Sequence, residues 1–123
     1  KLLFYINKTF NQPLDNWGSK LQNLTDLEST FRESVYNQPL NSWIVDNVTT
    51  MARTFTKSFF NHPINNWNSK KLKEVDAMFS ESQFNQDISN WDVSGVTNMG
   101  SMFSDSKFNL YFYILIRQIL ESF

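Results

Sequence analysis

Apolar and polar positions along this chain follow a pattern that recurs four times, and each recurrence holds two phrases. The first runs from an aromatic residue to a tryptophan: Phe10-Asn-Gln-Pro-Leu-Asp-Asn-Trp17, Tyr36-Asn-Gln-Pro-Leu-Asn-Ser-Trp43, Phe60-Asn-His-Pro-Ile-Asn-Asn-Trp67 and Phe84-Asn-Gln-Asp-Ile-Ser-Asn-Trp91. The second runs from an aliphatic residue to a phenylalanine: Leu24 to Phe31, Val48 to Phe55, Leu72 to Phe79 and Val96 to Phe103. These closing phenylalanines stand 24 residues apart. A fixed period of this length marks a repeat architecture, in which each unit buries its apolar face only against its neighbours.

In the second phrase Val96, Met99 and Phe103 fall at i, i+3 and i+7, the spacing of one helix face. Ser94 or Thr97 is placed to cap such a helix. It would be about two turns long and stable only when packed. In the first phrase Pro13, Pro39 and Pro63 oppose helix, so the spacing predicts extended chain with a turn. A short strand then follows through Leu14, Leu40, Ile64 or Ile88 toward the tryptophan. Stacked copies predict a narrow parallel sheet, making four coils roughly 20 Å long. The expected fold is therefore an α/β repeat solenoid of about four 24-residue coils, each with a short strand and a short helical segment. One domain spans 1–123, with repeats 10–35, 36–59, 60–83 and 84–107, and 108–123 as a degenerate fifth repeat or cap. Repeat one carries two extra residues between Trp17 and Leu24, expected to bulge at a loop.

Composition sharpens this picture. Twelve Phe, four Trp and four Tyr sit almost wholly at repeat positions, so aromatic side chains are the expected core, with Trp17, Trp43, Trp67 and Trp91 as a spine. Asn11, Asn37, Asn61, Asn85 and Asn109 follow the initial aromatics, and an amide offers both donors and acceptors. Equivalent asparagines in successive coils are expected to form a ladder at a turn. A net charge of −1 gives no basic field for nucleic acid. Without cysteine there are no disulfides or thiolate metal sites. Starting at Lys1 rather than Met, the chain reads as a fragment or a processed product. The apolar run from Leu110 to Ile116 is too short to span a membrane, which needs ~20 residues. If exposed, it would serve as a partner interface.

Reactive chemistry is sparse. His62 occupies the place of Gln12, Gln38 and Gln86, a substitution at a polar repeat position rather than a catalytic or metal-binding group. No nucleophile triad, metalloprotease or phosphate-loop motif is present. Asp87 and Asp92 flank a turn that is read as solvated in preference to a weak cation site. Lys70, Lys71 and Lys73 form the only basic cluster, read as a solvated outer face. No enzyme activity, cofactor or metal is expected.

With these phrases in view, the chain resembles the BspA-like leucine-rich repeat family, in the branch found in mycoplasma-type lipoproteins and other surface proteins. Residues 84–103 follow that pattern almost throughout; the other copies depart at Asp87, where Pro13, Pro39 and Pro63 stand, and at Asp92-Val-Ser. The resemblance implies a leucine-rich-repeat-like solenoid with strands lining one face, a cell-surface or extracellular location, and a role in adhesion or recognition. Exposed residues between the apolar anchors would then contact a protein or glycan: Gln12, Asp15, Gln38, Asn41, His62, Asn65, Gln86 and Ser89. The alternative is a structural scaffold or assembly subunit, part of a larger particle, that docks on neighbouring subunits through its apolar C-terminal tail.

Overall fold

In a computed structural model of the chain, residues 2–108 and Ile119 are described. Within them the 24-residue period is a stack of turns, and the expected α/β architecture is absent. The one bounded helical element is a 3₁₀ helix, Asp15–Lys20. Extended pairing is reduced to isolated parallel bridges that join Asp26, Thr50, Glu74 and Asn98 in succession. Neither the strand-lined sheet nor the helical segments of a leucine-rich repeat form among the described residues. Apart from Phe108 and Ile119, the expected fifth repeat or cap over 108–123, with Asn109, lies outside them.

Each repeat divides into two limbs. In the first three copies of the phenylalanine limb, which spans residues 27–34, 51–58, 75–82 and 99–106, the backbone N–H groups alternate between two kinds of partner. Thr54, Thr56 and Ser58 donate to carbonyls three residues back, at Met51, Arg53 and Phe55. Met51, Arg53, Phe55 and Lys57 donate to Glu74, Asp76, Met78 and Ser80 of the next repeat, at 2.9 Å each. No donor is left over for the i→i−4 bonds of an α-helix. Every fourth residue also has a left-handed backbone: Ser29 and Glu33, Arg53 and Lys57, Ala77 and Glu81, Ser101 and Asp105, with φ between 52° and 58°. An L-residue there costs ~1–2 kcal/mol and ends any right-handed helix. Two apolar anchors at i and i+4 suit both conformations. The turns prevail because a two-turn helix is marginal alone, whereas a stacked neighbour offers a row of carbonyls in register.

The tryptophan limb, residues 10–17, 36–43, 60–67 and 84–91, is no more a strand than its partner is a helix. Leu14 has φ −122° and ψ 5°, outside the extended region. The chain turns back at that point, so that Trp17, Trp43, Trp67 and Trp91 donate their backbone N–H to Leu14, Leu40, Ile64 and Ile88. In repeat one the extra residues continue from this turn into the 3₁₀ helix. Gly18 is required there: a Cβ would lie 2.3 Å from the Ser42 carbonyl oxygen.

Three aromatic columns fill the space between the limbs. Phe31 lies between Phe4 and Phe55 with centroids 5.3 and 5.6 Å away, and Phe79 and Phe103 continue the column at 5.8 and 5.7 Å. A second column follows the aromatics that open each repeat; Phe60 and Phe84 are 6.3 Å apart, and Phe84 and Phe108 6.1 Å. The two columns interlock, Phe55 with Phe60 at 4.4 Å and Phe79 with Phe84 at 4.2 Å. Tryptophans form the third, Trp17 with Trp43 and Trp67 with Trp91, both at 6.4 Å. Phe31, Phe55, Phe60, Phe79 and Phe84 are fully buried, and each contributes roughly 1.5–3 kcal/mol relative to exposure. Phe4 shows that the stack begins earlier than the repeats read from sequence. Residues 2–7 add a preceding half-coil, whose Leu2, Phe4 and Ile6 donate to Glu28, Thr30 and Arg32.

Candidate functional site

The eight candidate contact residues all lie on the tryptophan limbs, but they do not form one free surface. Each tryptophan limb is held to the next by side chains. Asn37, Asn61 and Asn85 donate their backbone N–H to the side-chain oxygens of Asn11, Asn37 and Asn61 at 2.8, 2.9 and 2.8 Å. Asp15, Asn41 and Asn65 form a second such row, accepting from the N–H groups of Ser42, Asn66 and Asn90 at 3.1, 3.2 and 3.0 Å. Asp15 also takes the Ser42 hydroxyl at 2.6 Å. These three candidates therefore serve as rungs between repeats. Ser89, the fourth at this offset, is half-buried, and its N–H donates to the Asp87 carboxylate at 2.8 Å.

The indole groups complete this limb. The Nε1–H groups of Trp43, Trp67 and Trp91 donate to the Leu14, Leu40 and Ile64 carbonyls at 2.8, 2.9 and 3.0 Å. Each of those carbonyls already accepts its own turn bond, so both lone pairs are used. Phenylalanine supplies no such N–H, which is a physical reason for tryptophan in these three copies.

The remaining candidates form the outward row. His62 Nε2 lies 3.0 Å from the Asn37 carbonyl oxygen, and Gln86 Nε2 donates to the Asn61 carbonyl at 3.2 Å. The histidine thus occupies the glutamine's place in the same bond, with Nε2 protonated because a carbonyl only accepts. Gln12 is exposed and Gln38 half-buried, and neither side chain has a hydrogen bond among the described residues. Beside this row stand Pro13, Pro39 and Pro63, all exposed. The sequence reading treated these prolines only as helix breakers, although their fixed offset already placed them on one face.

The charged groups converge on no reactive centre. Asp87 and Asp92 are each occupied in a local turn; Asp92 accepts from the Ser94 hydroxyl at 2.6 Å and from its N–H at 3.0 Å. Those two bonds, with the nearby Lys70 ammonium, hold the Asp92 carboxyl below its ordinary value. Among the described residues no cluster of three His, Cys, Asp or Glu side chains is placed to hold a metal. Lys70, Lys71 and Lys73 are exposed, and Lys71 reaches across repeats to the Asn47 side-chain oxygen at 2.6 Å. The perturbed group of the interior is Tyr36, where the same column elsewhere has phenylalanine. Burial pushes its phenol up to about 12, the Leu14 backbone opposing the rise and the Asp15 carboxylate adding to it. Among the described residues no acceptor or donor of good geometry meets that hydroxyl.

No helix among the described residues is long and apolar enough to cross a membrane. In comparison with known families, residues 1–112 match the family model described as "Mycoplasma protein of unknown function, DUF285". Neither a curated protein nor a solved structure matches the chain significantly.

Proposed function

The chain belongs to the DUF285 family of mycoplasma proteins of unknown function, and we propose that it is a non-enzymatic recognition module that binds a protein or glycan through the outward side of its tryptophan limbs. The observation that carries this reading is the row of Gln12, Pro13, Gln38, Pro39, His62 and Pro63, whose backbone is set by the asparagine rungs beneath it. A rigid surface loses little conformational entropy on binding. Amide and imidazole groups offer hydrogen bonds to peptide groups or sugar hydroxyls, and the proline rings offer apolar contact. Similarity of residues 84–103 to BspA-like surface proteins supports a place at the cell surface or outside the cell.

The test is a binding screen of the immobilised chain against glycans and extracellular-matrix proteins, repeated with Pro39→Glu and with Lys57→Ala on the opposite limb. A ligand lost with Pro39→Glu and kept with Lys57→Ala is the expected result. Ligands that bind both variants equally would refute the assignment of this face. A second reading, a structural subunit of a larger assembly, draws support from the exposed Leu2, Leu3, Tyr5 and Ile6. The tail first considered for that docking, 110–123, lies, apart from Ile119, outside the described residues.

A further inference from the structure

Along residues 58–64 inward and outward side chains alternate. Ser58, Phe60 and Ile64 are buried and His62 half-buried, while Phe59, Asn61 and Pro63 are exposed. The preceding repeat alternates in the same way, with Val35, Asn37 and Pro39 outward. On the flank of the stack the asparagines therefore form a column between two apolar edges, Val35 and Phe59 on one side, Pro39 and Pro63 on the other. Phe59 is 55% exposed, in the middle of the stack rather than at an end.

The rung bonds fix how these amides face. A backbone N–H can only donate, so it meets the oxygen and not the nitrogen of Asn11, Asn37 and Asn61, at 2.8, 2.9 and 2.8 Å. Asn61 also takes the Gln86 side-chain amide on that oxygen, at 3.1 Å. Each Nδ2 is left turned away from the rung, and none of the three donates to an acceptor among the described residues. All three asparagines are exposed. The result is a column of N–H donors, one per repeat, whose orientation is set before any ligand arrives. Their spacing follows from the neighbouring rings. Phe10 and Tyr36 lie within 8° of parallel and Phe60 and Phe84 within 4°, so their centroid separations, 6.1 and 6.3 Å, measure the advance per repeat on this limb. An extended polypeptide rises ~3.2–3.4 Å per residue, so its alternate carbonyls, which lie on one edge, stand about 6.4–6.8 Å apart.

We propose that this column binds an extended peptide segment of a partner protein, laid along the stack with one backbone edge down. Alternate carbonyls of the segment then accept from Asn11, Asn37 and Asn61. Its side chains project to either side, onto Val35 and Phe59 or onto Pro39 and Pro63, which favours apolar residues there. Over three repeats the two spacings drift apart by roughly 1 Å, and strand twist shortens the peptide toward the smaller value. A glycan gains nothing particular from donors alone, because each sugar hydroxyl both donates and accepts. The assignment rests on the recognition role of the outward face and names the ligand class for it.

The test is selection of linear peptides from a random phage-displayed library on the immobilised intact chain. Each selected peptide is then measured by calorimetry against Asn37→Asp combined with Asn61→Asp. A carboxylate keeps the rung, as Asp15 does where later repeats have Asn41 and Asn65, but it removes the outward N–H donors. The double variant is expected to keep its thermal midpoint and to weaken peptide binding on the order of tenfold or more. Asn37→Asp alone serves should the pair unfold. Peptides bound equally well by the folded variant, or a library that yields none, would overturn the proposal. A glycan lost with Pro39→Glu yet kept by the double variant would also overturn it, and would leave the face standing. Ligands indifferent to Pro39→Glu would refute the face and the peptide assignment with it.

Discussion

The two limbs of each repeat share one period and are joined to their neighbours by different chemistry. The phenylalanine limb is joined by backbone: Arg53 to Asp76, Phe55 to Met78 and Lys57 to Ser80, all at 2.9 Å. Any residue except proline has that N–H, so the residue type varies freely there, from Ser29 through Arg53 and Ala77 to Ser101. The tryptophan limb is joined by side chains: Asn37 to Asn61, Asn65 to Asn90, and the Trp67 indole to Leu40. Only particular residues can make those bonds, and there the wording recurs almost unchanged. Recurrence of residue type within the chain thus reports which group forms the bond between repeats. It does not by itself mark a ligand-binding surface.

The comparison can be broken or sharpened by substitution. Removing a side chain of the phenylalanine limb that also packs on the tryptophan limb, at Phe60 and Trp67, should cost most: Phe55→Ala leaves a cavity between the stacked Phe31 and Phe79 and should lower stability by about 3–5 kcal/mol in a chemical denaturation series. Next is a pH effect. Below pH 10 Tyr36 is protonated in both the folded and the unfolded chain and contributes no dependence. Between 10 and about 12 the unfolded chain releases this proton while the folded one retains it. Stability should fall by roughly 2–3 kcal/mol across that window. The difference between the parent and Tyr36→Phe isolates the effect, and that variant should be close to neutral at pH 7. Trp67→Phe, specific to the side-chain-joined limb, removes the donor to Leu40 and should cost about 2 kcal/mol. In the backbone-joined limb, Lys57→Gly should instead raise the thermal midpoint, by about 1 kcal/mol of relieved left-handed strain. Equal losses from Trp67→Phe and Lys57→Gly would remove the distinction between the limbs.

The sequence made some of this legible and concealed the rest for identifiable reasons. Phe31, Phe55, Phe79 and Phe103 announce the period, and their column stands where that spacing puts it. The expected helix failed because Val96, Met99 and Phe103 report only which side is apolar; turns with a left-handed residue at Ser101 and Asp105 bury the same side. Non-glycine residues at positive φ leave no mark in a sequence. The expected strand through Leu14 and Leu40 failed because the bond from each tryptophan N–H closes a turn over three residues. Asp15, Asn41 and Asn65 looked like contact residues because polar side chains at a variable offset resemble an exposed face. Their carboxylate and amide oxygens are instead committed to the next repeat. The half-coil was overlooked because Phe4 lies six residues before Phe10, whereas Phe31 lies five before Tyr36, so it escapes a strict period.

The most direct test of the account is detection of scalar couplings across hydrogen bonds by NMR in the isotopically labelled chain. Couplings from the Arg53 amide nitrogen to the Asp76 carbonyl carbon, and from Ala77 to Gly100, are expected. A coupling from Phe55 to the Met51 carbonyl, four residues back, would instead establish a helix and contradict the stack of turns.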